Sequence, residues 1–153
     1  MKKTIGVVVF LLSTVVLMSS CKKDVKYLPG TWKVMSATIN NDSEDDVRDV
    51  WTFNDSGDCV IDCDLDEYFD NIPNDNMVTF GGSYSTSGND KLTITGEKFN
   101  VFGGYSDQVV YELDIETLTK KLMIVSGTIK YYHYMENVTE TQTSSISLSL
   151  SKK

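Results

Sequence analysis

From residue 27 onward the chain alternates between apolar and polar residues with a period of two, the pattern of strands that bury one face. The domain begins at Tyr27-Leu28-Pro29-Gly30, and Trp32 to Ile39 reads as a first strand. In a second, Val47, Asp49, Trp51 and Phe53 alternate with Arg48, Val50, Thr52 and Asn54. Asn54-Asp55-Ser56-Gly57 then supplies a tight turn, because Asn, Asp and Gly tolerate positive φ. Asp58 to Leu65 returns as a third strand, and Asp66 to Asn76, polar, acidic and containing Pro73, is the longest predicted loop. Val78 to Thr86 leads into a turn at Ser87-Gly88-Asn89-Asp90, after which Leu92 and Ile94 face one way and Thr93 and Thr95 the other. Phe99 to Phe102 is a candidate short strand. Val109, Tyr111, Leu113 and Ile115 alternate with Val110, Glu112, Asp114 and Glu116, and Thr117 to Lys120 turns. Leu122 to Met135 is apolar on both parities and is expected to be central or bent near Gly127. After a loop over Glu136 to Thr141, Ile146, Leu148 and Leu150 against Ser145, Ser147, Ser149 and Ser151 end the chain with the cleanest alternation.

Eight or nine antiparallel strands joined mainly by short turns predict an all-β domain, closed as a barrel or packed as two sheets. Closure removes strand edges that otherwise invite aggregation. Composition agrees: Ala37 is the single alanine, while β-branched residues and tyrosine are abundant. Two short segments resemble each other, Phe80-Gly81-Gly82-Ser83-Tyr84 and Phe102-Gly103-Gly104-Tyr105-Ser106. Paired glycines inside strands mark bulges or barrel corners, or a place where a ligand approaches the backbone.

The N-terminus has a different character. Lys2 and Lys3 precede an apolar or small run, Ile5 to Met18, followed by Ser19, Ser20 and Cys21. That run is shorter than the ~20 residues a membrane-spanning helix needs. It resembles the lipobox of bacterial lipoproteins, with Met18 where leucine is usual and Leu17 one place earlier. The resemblance implies that residues 1–20 are a cleaved signal peptide. Cys21 would be acylated on its thiol and new amine, by palmitate or a similar chain, and residues 21–26 would be a tether. It implies a lipid anchor in the bacterial outer membrane, since Lys22 rather than aspartate follows the cysteine, with the domain facing the periplasm or the outside. An ordinary secretory signal and an uncleaved anchor are the alternatives.

Charge narrows the partners. The chain carries 14 basic and 22 acidic residues, a net charge of −8, and loses two lysines with the signal. An acidic surface argues against nucleic acid and against direct adhesion to anionic lipid. Cys59 and Cys63 can pair only if Val60 to Asp62 turns; otherwise they are two thiols on one strand face. Asp62, Asp64 and Asp66, followed by Glu67 and Asp70, are either a solvated acidic stretch or an irregular calcium site. The EF-hand pattern fails, because Glu67 and Pro73 stand where glycine and glutamate are needed. The single histidine, His133, lies among tyrosines, with no serine or cysteine nucleophile marked by its context. Phosphate-loop, Cys-x-x-Cys and Gly-x-Ser-x-Gly motifs are absent. No metal or cofactor is expected, and only an acid-pair hydrolase remains as an enzymatic exception.

Leu28-Pro29-Gly30-Thr31-Trp32-Lys33 resembles the Gly-x-Trp opening of lipocalin-like proteins. Trp51-Thr52-Phe53-Asn54-Asp55-Ser56-Gly57 resembles the second-strand hairpin of lipocalin-like domains on bacterial lipoproteins, especially those of Bacteroides-type bacteria. Tyr84 to Thr95, Tyr111 to Ile124 and the closing serine-rich strand fit the same pattern. The resemblance implies an up-and-down eight-stranded barrel over residues 27–153, with Gly30 and Trp32 closing one end. The arginine that packs on that tryptophan in the family has no counterpart in the sequence. The resemblance also implies an internal site for a small apolar or amphipathic ligand, lined by Trp51, Phe53, Tyr84, Tyr111, Leu122 and Ile124, unless these residues are plain core. The expected function is therefore a membrane-anchored, non-enzymatic ligand binder. The alternative is a solid barrel that contacts protein or glycan through its loops, notably Asp66 to Asn76.

Overall fold

The computed structural model describes residues 24–44, 46–69, 77–100, 105–135 and 138–153. The signal segment, Cys21, Asp70 to Asn76 and the Gly103-Gly104 pair lie outside them. A 3-10 turn, Val25–Tyr27, leads into nine strands. These are β1 (Gly30–Ile39), β2 (Asp42–Glu44), β3 (Val50–Phe53), β4 (Asp58–Cys63), β5 (Val78–Ser87), β6 (Lys91–Asn100), β7 (Tyr105–Leu118), β8 (Leu122–Met135) and β9 (Val138–Lys152), with one short helix, α1 (Leu65–Tyr68), after β4. Every pairing is antiparallel between chain neighbours, apart from β1 with β3 and β9. The β1–β9 ladder, Trp32↔Lys152 to Ile39↔Ile146, closes the meander into an eight-stranded barrel. β2 is the extra strand, folded back on the end of β1 through a two-residue hairpin. Asn40 and Asn41 form that hairpin at φ 52° and 75°, the left-handed conformations a tight turn requires.

Bulges keep the apolar side of two strands pointed inward. In β1, Trp32 and Val34 are buried, the register shifts between Val34 and Ser36, and Ala37 and Ile39 are buried next. Met35, the extra residue, is 63% exposed. β7 repeats the device between Ile115 and Thr117, which returns Leu118 to the interior. Without a bulge, a one-residue change of parity would turn the rest of each strand inside out. Glycine serves close approach: a Cβ on Gly82 would lie 1.9 Å from the Thr95 carbonyl oxygen across the β5–β6 ladder. Gly127, at φ 155°, is the expected irregularity in β8, with Glu112 O 2.1 Å from where its Cβ would be.

Several sequence readings are corrected. The second strand does not span Val47 to Asn54: β3 is Val50–Phe53, although the Asp49 carbonyl still accepts from Val34 N–H of β1 at 3.0 Å. β4 stops at Cys63, so Leu65 starts α1 instead of ending a strand, and the predicted loop over Asp66 to Asn76 begins as helix with Tyr68 and Phe69 buried. Phe99 and Asn100 of the predicted short strand belong to β6, its last two residues lying outside the described ones, and β9 already begins at Val138. In β8 the inward residues are Met123, Val125 and Ile129; Leu122 is 38% exposed and Ile124 half-buried. A strand apolar on both parities takes its facing from its partner. Met123↔Leu150 and Val125↔Leu148 match the unambiguous alternation of β9.

Candidate functional site

One end of the barrel, where β1 begins, holds Trp32. Its ring is fully buried, and its Nε1 donates to Leu28 O at 2.7 Å, tying β1 to the turn before it. Lys152, at the end of β9, lies over the indole at 5.1 Å and donates from Nζ to Tyr27 O at 2.8 Å and Pro29 O at 2.5 Å. Lys152 lies beside Gly30, whose missing side chain leaves room for it. The pairing Trp32↔Lys152 puts it there, and only the register of the last strand could have revealed it.

From this end aromatic rings lead inward. Tyr84 and Phe53 meet edge to face at 4.9 Å, Phe53 and Trp51 at 6.3 Å, and Trp51 and Tyr111 at 5.0 Å. Tyr84 is half-buried at the rim, with its hydroxyl donating to Asn54 O at 2.6 Å. Trp51, Tyr111, Ile61, Ile94, Val125 and Ile129 each retain 0% exposure. A side chain bordering a water-sized void would keep accessible area, so the middle of the barrel is filled by side chains. Of the six wall residues expected from the sequence, Trp51, Phe53, Tyr84 and Tyr111 come together in this row of rings. Leu122 and Ile124 do not.

The opposite end, the mouth, is built around Asp49, a residue whose function the sequence reading missed. It was visible as a carboxylate on the apolar parity of Val47, Asp49, Trp51 and Phe53. Asp49 is fully buried and accepts from the Tyr68 hydroxyl at 2.7 Å and from Asp64 N–H at 3.1 Å. Burial pushes its carboxyl up to about 7; the bonds from Tyr68 and Asp64, and the nearby Trp51 indole, pull in the other direction. The Trp51 Nε1 and Tyr111 hydroxyl themselves are buried without a hydrogen bond. Arg48 reaches across to Asp64 at 2.8 Å. Ser144 Oγ donates to Tyr68 O at 2.5 Å, so α1 is fastened from β9 as well. Phe69 lies 5.7 Å from the Tyr131 ring.

Beside Tyr131, His133 Nδ1 and the Tyr131 hydroxyl both contact Asp107 Oδ1, at 2.6 and 2.9 Å. Ser144, the buried hydroxyl of the mouth, donates its hydrogen bond to the Tyr68 carbonyl and so is not aimed at this pair. Between α1, the β1–β2 hairpin and β9 runs a cleft of about 370 Å³, lined by Asp42, Glu44, Asp66 and Glu67. Glu67 is raised by burial and by the carboxylates Asp64, Glu44 and Asp46.

The remaining candidates are placed as follows. Cys59 and Cys63 are free, buried and on the inward face of β4. Burial raises the Cys59 thiol to about 11 and Cys63 well above its ordinary value, which leaves both protonated and unreactive. The acidic run diverges: Asp62 accepts from Thr79 at 2.5 Å, Asp64 pairs with Arg48, and Asp66 belongs to α1. Among the described residues, no three His, Cys, Asp or Glu side chains are grouped to hold a metal ion, and no helix is long and apolar enough to cross a membrane. No family model matches this chain, and no curated protein and no solved structure matches it either.

Proposed function

We propose that this chain is a lipid-anchored module of the bacterial outer membrane, held by acyl chains on Cys21, whose barrel is solid and acts through its surface and mouth. The reading rests on the filled interior: Trp51 and Tyr111 occupy the middle of the barrel edge to face at 5.0 Å, with no accessible area left on either. A barrel of this size holds either one small ligand or its own side chains. Here the space an apolar ligand would need is taken by aromatic rings. The module is non-enzymatic in this reading, and its partner is a protein or glycan of the envelope met at the acidic mouth.

The small-ligand reading survives in a narrower form, at the mouth. The half-buried His133 offers a ring face there, beside the Asp107 carboxylate. Native mass spectrometry of the detergent-solubilised protein from its host envelope separates the two. The solid-barrel reading expects the mass of the acylated chain alone. A stoichiometric small molecule recovered by solvent extraction would contradict it.

A further inference from the structure

The wall of the barrel breaks between β2 and β3, and Asp49 sits at that break. Through Asp64 N–H and the Tyr68 hydroxyl, this one carboxyl group ties the end of β4 and α1 to the wall. The titratable groups that face it are Cys63 and Asp64 from the end of β4, Tyr68 from α1 and Tyr111 from β7. None of them is a cation. Arg48 is engaged with Asp64, and its own side chain is 67% exposed. An ionised Asp49 would thus have hydrogen bonds but no counter-charge, next to a second carboxylate. A neutral Asp49 keeps both contacts, because its protonated oxygen can donate to the Tyr68 hydroxyl. A buried charge without a counter-charge is relieved when the structure admits water. The shortest element in contact is α1, four residues long, with Glu67 N–H bonded to Asp64 O, Phe69 N–H to Leu65 O and Ser144 Oγ to Tyr68 O.

We propose that α1 is a proton-controlled plug of the barrel mouth: neutral Asp49 holds Tyr68 in place, and ionisation of Asp49 frees Leu65–Phe69 while the Trp32 end stays shut. Burial that lifts the Asp49 carboxyl to about 7 sets the change in the neutral range. Release uncovers the Tyr131 ring beneath Phe69, so the mouth is smooth in acid and aromatic above neutrality.

Hydrogen–deuterium exchange of the full chain, read by mass spectrometry from about pH 5.5 to about pH 8.5 and corrected for intrinsic exchange, tests this. Protection of the amides of residues 64–69 is expected to fall about tenfold or more with a midpoint near 7, while β6 and β7 keep theirs. Asp49→Asn, which stays neutral, is expected to hold protection constant across the range. A flat wild-type profile at residues 64–69, or the same fall in Asp49→Asn, overturns the proposal. Tyr68→Phe gives a second reading should Asp49→Asn fail to fold. It removes the bond through which Asp49 holds α1, so protection of residues 64–69 must be low in acid as well and its fall near neutrality must flatten. A fall as steep as that of the wild type overturns the proposal equally.

Discussion

Both ends of this barrel are stoppered by a buried aromatic residue whose polar atom donates one hydrogen bond of 2.7 Å. They differ in what accepts it. At the closed end Trp32 donates to the carbonyl of Leu28, and Lys152 fastens two more carbonyls of the same turn. At the mouth Tyr68 donates to the carboxyl group of Asp49. A carbonyl is the same acceptor at every pH, whereas a buried carboxyl group is not, and its charged form is disfavoured by the surroundings that make it a good anchor. Two stoppers of similar geometry therefore respond differently to a proton.

The largest effect should come from the stopper that does not titrate. Trp32→Ala leaves a large cavity at the closed end and is expected to cost ~3–5 kcal/mol by urea denaturation, equally at acid and neutral pH. Next comes the pH dependence of the mouth. The Asp49 carboxyl lies near 3.8 when unfolded and is raised to about 7 in the fold, so the folded state binds the extra proton between those values. Its stabilising contribution is complete below about pH 4 and is lost as pH rises to about 7. The loss amounts to as much as ~4 kcal/mol and is capped by the free energy of releasing α1. The difference between wild type and Asp49→Asn, measured across that window, isolates it from the other carboxylates.

A smaller change is expected from Lys152→Met, which removes the cation over Trp32 and its two carbonyl bonds: ~1–2 kcal/mol, with no pH dependence in this window. Smallest of all, Lys91→Ala breaks the exposed pair with Asp114 and should leave the melting temperature unchanged within error.

The same comparison explains what could be read from the sequence. The place of Gly30 and Trp32 at the start of the first strand was legible, because they sit in a local motif and the strand that carries them alternates cleanly. So was the all-β barrel, whose period-two pattern is local as well. The lysine over Trp32 was not, since it arrives through the β1–β9 ladder from the other end of the chain. The facing of Leu122 and Ile124 was hidden for a related reason: β8 is apolar on both sides, and only its partner β9 decides. The mouth was least legible. Asp49 breaks the apolar pattern in which it stands, and an acidic stretch that reads as loop folds Tyr68 and Phe69 inward against it. Buried polar residues at such breaks are the points where local pattern and tertiary structure part.

The two tryptophans offer the most direct test, because Trp51 lies beside Asp49 while the Trp32 indole is bonded to the turn before β1. In a nitrogen–proton correlation spectrum of the labelled protein, the two indole N–H signals can be followed from about pH 5 to about pH 8.5 and assigned with Trp32→Phe or Trp51→Phe. The account predicts that the Trp51 signal, close to Asp49, titrates with a midpoint near 7 and stops doing so in Asp49→Asn, while the Trp32 signal stays still. Two signals that stay still, or two that move together, would contradict it.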